Sequence, residues 1–254
     1  MPTKQYQLKT TTVEAMTMPF TIQAVLVDHD ETTAENLTKA ISRTHAFLQQ
    51  IDRDFSPFKA NSLVTLYQHG GLKPTQFTEQ FQEVYGLATL ATELTNGAFS
   101  AHYNGHYDPT GLVKGWAIQR AFEKYLKPLL ELDRIEAIAL NGAGDIQMGV
   151  ADGSDYQWHV GIEDPADPQQ LLQEITIQTG AMATSGFSKR GQHIKLSTDT
   201  PSIVQATIIA SELIEADIMA TTAIAMGLTK FQEFTESVEV HGLLVDQNAN
   251  QIAI

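Results

Sequence analysis

The amino-acid sequence predicts an α+β fold, with mainly antiparallel sheets packed against helices. Helical and strand periodicities are both present. They do not alternate regularly, as a doubly wound parallel sheet requires, and strand signals dominate after the third helical one. No fixed-period repeat, low-complexity segment or linker divides the 254 residues, so one domain spanning 1–254 is expected.

Residues 20–27 alternate apolar and polar side chains, the period of a half-buried strand. Leu37, Ile41, Thr44, Leu48 and Ile51 recur at helical spacing, and residues 55–67 are irregular and aromatic with a turn signal at Ser56-Pro57. Phe77, Phe81, Val84, Ala88, Ala91 and Leu94 mark a second helix, with Gly97 placed for a left-handed cap. Residues 111–115 open a third helix, carried on by Ile118, Phe122, Tyr125 and Leu129, which Pro128 is expected to end. Strands are predicted at 135–140, 145–150, 156–163, 174–179 and 204–210. A helix over 212–226, stopped by Gly227, precedes closing strands at 238–245 and 250–254.

Composition narrows the chemistry. Thirty acidic against 16 basic residues leave a formal net charge of -14, which disfavours nucleic-acid binding and reads as a solubility feature. The absence of cysteine excludes disulfides, thiolate zinc sites, iron–sulfur clusters and a cysteine nucleophile. The first dozen residues are polar and no apolar run reaches bilayer length, so no membrane insertion and a cytoplasmic location are expected. A homo-oligomer is compatible with the sequence and not fixed by it.

Four segments could carry chemistry. In Glu215-Ala216-Asp217-Ile218-Met219-Ala220-Thr221, Asp217 and Thr221 stand four apart and share a helix face, offering a carboxylate and a hydroxyl. Magnesium takes such hard oxygen donors and leaves room for phosphate. The ordinary alternative is a threonine bonded back into its helix and a solvated aspartate. In Tyr107-Asp108-Pro109-Thr110-Gly111-Leu112-Val113-Lys114-Gly115-Trp116, a glycine-bearing turn enters a helix beside a lysine. That suits phosphate, although the spacing is not a Walker A loop and a plain capped helix explains it equally well. Asn141-Gly142-Ala143-Gly144-Asp145 resembles a dinucleotide fingerprint only superficially, because a strand follows; a tight turn suffices. Ala183-Thr184-Ser185-Gly186 precedes His193-Ile194, and a histidine can take a proton from a hydroxyl near neutral pH. His102 and His106 could suggest zinc, but with no third ligand evident they are read as loop residues.

Together these segments resemble the ApbE family, the FAD:protein FMN transferases. The match runs along nearly the whole chain: Met16-Thr17-Met18-Pro19-Phe20, Phe55-Ser56-Pro57-Phe58, Asn96-Gly97-Ala98-Phe99, Asp108 to Trp116, Gly144-Asp145, Ala183-Thr184-Ser185-Gly186 and the helix with Asp217 and Thr221. The resemblance implies a T-fold-like α+β architecture. It implies magnesium held by the side chains of Asp217 and Thr221 and the carbonyl of Gly111. It places Met16, Ala98, Phe99, Ser100, Asp108, Lys114 and Ile194 against FAD, and His193 as the base. The implied reaction moves FMN from FAD to a Ser or Thr hydroxyl of an acceptor protein, releasing AMP. Two alternatives remain open: an FAD pyrophosphatase giving FMN and AMP, and a non-catalytic FAD-binding protein. The family's histidine motif usually reads His-Ile-Ile-Asp-Pro, whereas His193-Ile194-Lys195-Leu196-Ser197 keeps the histidine without the Asp-Pro. Thr17 and Met18 stand where the family has glycine and threonine.

Overall fold

The computed structural model describes residues 5–27, 30–103, 105–186 and 202–254. The chain opens with a hairpin, β1 (Gln7–Ala15) and β2 (Met18–Leu26). Only the second strand was legible, because β1 is threonine-rich and mostly exposed. Helices α1 (Glu31–Phe55), α2 (Leu63–Gln68) and α3 (Glu79–Leu94) follow, each capped by the residue before it: Asp30, Ser62 and Thr78 accept from amides three residues on. A small hairpin, β3 (His102–Tyr103) and β4 (His106–Tyr107), carries the two histidines that the sequence placed in a loop.

Helix α4 (Thr110–Ala121) continues as a widened π turn (Phe122–Leu126) and a tight 3-10 stretch (Lys127–Glu131). Pro128 therefore does not stop the helical path where expected; it opens the 3-10 stretch, a position that needs no amide donor. Next come β5 (Ile135–Gly142), β6 (Asp145–Val150), β7 (Trp158–Glu163), β8 (Leu171–Ile177), β9 (Gly180–Gly186) and β10 (Ile203–Ala210). Helices α5 (Leu213–Met226) and α6 (Leu228–Thr235) and strands β11 (His241–Asp246) and β12 (Gln251–Ala253) complete the order. Strand β9 is built from small residues of low strand propensity and becomes a strand through pairing with β6 and β10.

The fold is α+β and mainly antiparallel, as the sequence predicts. Eight strands form one sheet in the order β1-β2-β5-β6-β9-β10-β11-β12, every pair antiparallel. Strand alternation divides its two faces. Ile138 and Leu140 of β5 join the core beneath the helices, while Ala137 and Ala139 pack with Trp158 under the separate β7–β8 ribbon. The molecule is thus layered as helices, sheet and ribbon. No helix among the described residues is long and apolar enough to cross a membrane.

Antiparallel register brings distant turns to one end of the sheet. Phe20 pairs with Gly142 and Ile146 with Met182. The Met16-Thr17 turn, the Ala143-Gly144 turn and the end of β9 at Ser185-Gly186 therefore share that edge. Both turns are two-residue connections with positive φ at each position, the geometry that matches strand twist. Beside this edge, rings of α1, α3 and α4 form an aromatic core in which Phe55 stacks on Phe81 with centroids 5.7 Å apart and meets Trp116 at 5.7 Å. Tyr107 is buried at its margin, and burial, with Tyr85 and Tyr67 adding to it, holds its phenol far above the ordinary range.

Candidate functional site

Helix α5 is apolar on almost every side, so it sits inside the fold rather than on it. Its first-turn amides need acceptors, and Glu212 before it supplies none from its side chain. Two buried glutamines do. Gln147 of β6 accepts from the Leu213 amide at 3.0 Å, and Gln119 of α4 accepts from the Ile214 amide at 3.0 Å. Their own amide groups are anchored in turn. Gln147 donates to the Gly180 carbonyl, and Gln119 donates to the carboxylates of Glu123 and Glu212. The start of α5 is thereby tied to the sheet and to α4 at once.

One turn further on, Asp217 is 5% exposed. It occupies space that only a glycine opposite leaves open: a Cβ on Gly115 of α4 would stand 2.7 Å from Asp217 Oδ2 and 3.1 Å from its Cβ. Thr221, the next turn along, has Oγ1 3.1 Å from Ser185 Oγ on β9. Neither half of the ordinary alternative holds, since the aspartate is buried and the threonine hydroxyl reaches across to a strand.

Lys114, half-buried on α4, forms an ion pair with the buried carboxylate of Asp145 at the start of β6. Asp145 Oδ1 also accepts from the Thr184 amide at 3.3 Å. The family resemblance assigned Lys114 to FAD; its ammonium already has a protein partner, so any contact with a diphosphate would be made alongside that pair. Asp108 Oδ1 accepts from both the amide (3.0 Å) and the hydroxyl (2.7 Å) of Thr110, fixing the entry to α4. Gly111 is exposed at that entry, and Phe99 is buried with its ring 3.9 Å from where a Gly111 Cβ would stand. Ala98 is half-buried and Ser100 exposed. Met16 lies half-buried in its positive-φ turn against the core. His193 and Ile194 fall outside the described residues.

The structure therefore brings together α4, α5, β6 and β9 around Asp217, Thr221, Ser185, Lys114 and Asp145. Sequence reasoning named Asp217, Thr221 and Lys114, and quoted Asp145 and Ser185 only as parts of motifs. It missed Gln119 and Gln147, which no local pattern marks. Among the described residues no three His, Asp or Glu side chains cluster into a metal cage. A hollow of about 610 Å³ near Lys127, Glu131 and Ser154 shares none of these site residues; it lies by the start of β5 and the end of β6, away from the sheet edge described above.

Comparison with known proteins bears on the fold and the family. The chain superimposes on the flavin transferase ApbE from Vibrio cholerae with a TM-score of 0.75 at 15% identity, covering 98% of this chain and 97% of that one. It matches the ApbE protein of Thermotoga maritima with a TM-score of 0.74 at 18% identity, covering 97% of each chain. Against the apo flavinyl transferase ApbE of Pseudomonas stutzeri the TM-score is 0.76 at 14% identity, covering 100% of this chain and 97% of that one. At such identities these likenesses establish the fold alone. No curated protein sequence matches the chain. The model of the ApbE family matches residues 101–244, more than half of the sequence and the part that holds α4, β6, β9 and α5; the chain belongs to the ApbE family.

Proposed function

We propose that this chain is an FAD:protein FMN transferase. It takes FAD as substrate, with magnesium, and transfers the FMN group to a Ser or Thr hydroxyl of an acceptor protein, releasing AMP. The observation that carries the reading is the buried Asp217 with Thr221 one helical turn on, facing the space that Gly115 leaves open midway along α4, in a chain of the ApbE family.

The residues present fit a magnesium ion. Asp217 and Thr221 offer hard oxygens through their side chains, and Gly111 through its backbone carbonyl. One carboxylate with few other protein ligands is how magnesium is held when phosphate oxygens complete its shell. Once bound, the ion offsets the charge that builds on the departing AMP.

The chain's own residues do the rest by positioning, which dominates phosphoryl transfer. Gln119 and Gln147 hold the start of α5, so the Asp217–Thr221 face is set before substrate arrives. Asp108 fixes the entry of α4. The ion pair of Lys114 with Asp145 locks α4 to β6. Met16, residues 98–100 and Ile194 are assigned to FAD by the resemblance to the ApbE family. His193 takes the proton of the acceptor hydroxyl as its oxygen bonds to the phosphorus of the FMN half, and the bond from that phosphorus to the AMP oxygen breaks.

Incubation with FAD, MgCl2 and an acceptor protein bearing a flavinylation-site Ser or Thr tests the reading. The expected products are acceptor carrying covalent FMN and an equal amount of AMP, both dependent on magnesium. Free FMN plus AMP with an unlabelled acceptor would make the chain a pyrophosphatase, and intact bound FAD would make it a carrier; either result contradicts the transferase.

A further inference from the structure

We infer that Ser185 is a positioning residue for the cation: its hydroxyl accepts the proton of Thr221 and so turns an oxygen lone pair of Thr221 toward the metal. This rests on the metal reading above and extends it to a strand residue that supplies no ligand itself.

A threonine inside a helix ordinarily donates its hydroxyl proton to the carbonyl four residues back. Thr222 does so, with Oγ1 2.7 Å from the Ile218 carbonyl. Its neighbour Thr221 instead meets Ser185 Oγ at 3.1 Å. A hydroxyl has one proton and two lone pairs. When its oxygen ligates a cation, the proton must go to an acceptor elsewhere, and the cation's charge makes that proton a stronger donor. Ser185 is the acceptor this fold supplies. The bond direction is then fixed.

Ser185 is held firmly enough to act this way. It pairs with Ala206 of β10, and the preceding amide, that of Thr184, is bonded to Asp145. The following residue is Gly186, where a Cβ would stand 2.8 Å from the Val204 carbonyl, so the strand end lies tightly against β10. The Ala183-Thr184-Ser185-Gly186 motif thus supplies a fixed hydroxyl and the close approach that fixes it.

The test is a titration of the full chain with MnCl2, read by loss of the free-ion electron paramagnetic resonance signal. Ser185→Ala is expected to weaken Mn2+ binding about tenfold, and Ser185→Thr, which keeps the hydroxyl, to bind within about threefold of wild type. The double variant S185A/T221V should bind no more weakly than Thr221→Val alone, because the serine acts through that threonine. Ser185→Cys, of similar shape and a poorer acceptor, carries the same test if the alanine variant does not fold. Wild-type affinity in Ser185→Ala, or losses that multiply in the double variant, would overturn the inference while leaving the metal site intact. Asp217→Ala separates the two levels: if it binds Mn2+ as wild type does, the metal reading fails and this inference fails with it.

Discussion

Helices α3 and α5 are close in length, 16 and 14 residues, and are held in opposite ways. Helix α3 carries its own instructions. Thr78 caps it, Phe81, Val84, Ala88 and Ala91 form one buried stripe, and Leu90 and Leu94 face solvent. Helix α5 has buried residues on nearly every side, and its first amides bond to Gln147 and Gln119, 66 and 95 positions earlier in the chain. A helix secured in the first way forms where its sequence says. One secured in the second way takes its final place only against a finished sheet and α4. The placement of Asp217 and Thr221 is therefore a tertiary property of the fold, which suits a site whose oxygens must be fixed in advance of substrate.

The largest effect that would break this contrast is chemical. Asp217→Ala should lower magnesium-dependent FMN transfer by about 100- to 1,000-fold while the thermal midpoint changes little, measured by product analysis and calorimetry on the same sample. A loss of activity no larger than the loss of folded protein would show that Asp217 is a structural group.

A pair of identical substitutions sharpens the contrast. Gly115→Ala places a methyl group 2.7 Å from Asp217 Oδ2, and should cost about 1–3 kcal/mol in urea unfolding and displace the carboxylate from the cation. Gly86→Ala in α3 meets nothing within 4 Å, and should instead stabilise the protein by about 0.4–1 kcal/mol with no change in cation binding. Equal effects at the two positions would remove the distinction.

The smaller effects concern the helix starts. Gln119→Met or Gln147→Met leaves a buried α5 amide without its acceptor and should cost about 1–3 kcal/mol. Each should also weaken cation binding, because the Asp217 face is released. Thr78→Ala, the matching change in α3, should cost about 1 kcal/mol and leave cation binding as it was. Denaturant melts paired with metal titrations distinguish the two classes.

The same contrast explains what could be read from the sequence. Helices α1 and α3 were legible because cap and stripe lie within their own residues. Helix α5 was legible as a helix, and the spacing of Asp217 and Thr221 put both on one face. What could not be read were the partners. Gln119, Gln147 and Ser185 matter through atoms on other elements, and no local period marks them. Lys114 looked like a phosphate contact because it follows a glycine-bearing turn into a helix; Asp145, 31 positions later, is brought to it by the sheet. Strand β9 escaped notice for a related reason: a run of small residues has little intrinsic pattern, and its neighbours make it a strand. Helices α2 and α6 are too short to show a period.

The central claim is that a carboxylate and a hydroxyl on successive turns of α5 hold the cation that FAD's diphosphate meets. Anomalous diffraction from crystals soaked with MnCl2 and FAD tests it directly. The expected result is a manganese peak about 2.1 Å from both Asp217 and Thr221 Oγ1 and in contact with the diphosphate. A peak elsewhere with FAD bound away from α5, or FAD seated here with the ion remote from both side chains, would contradict it.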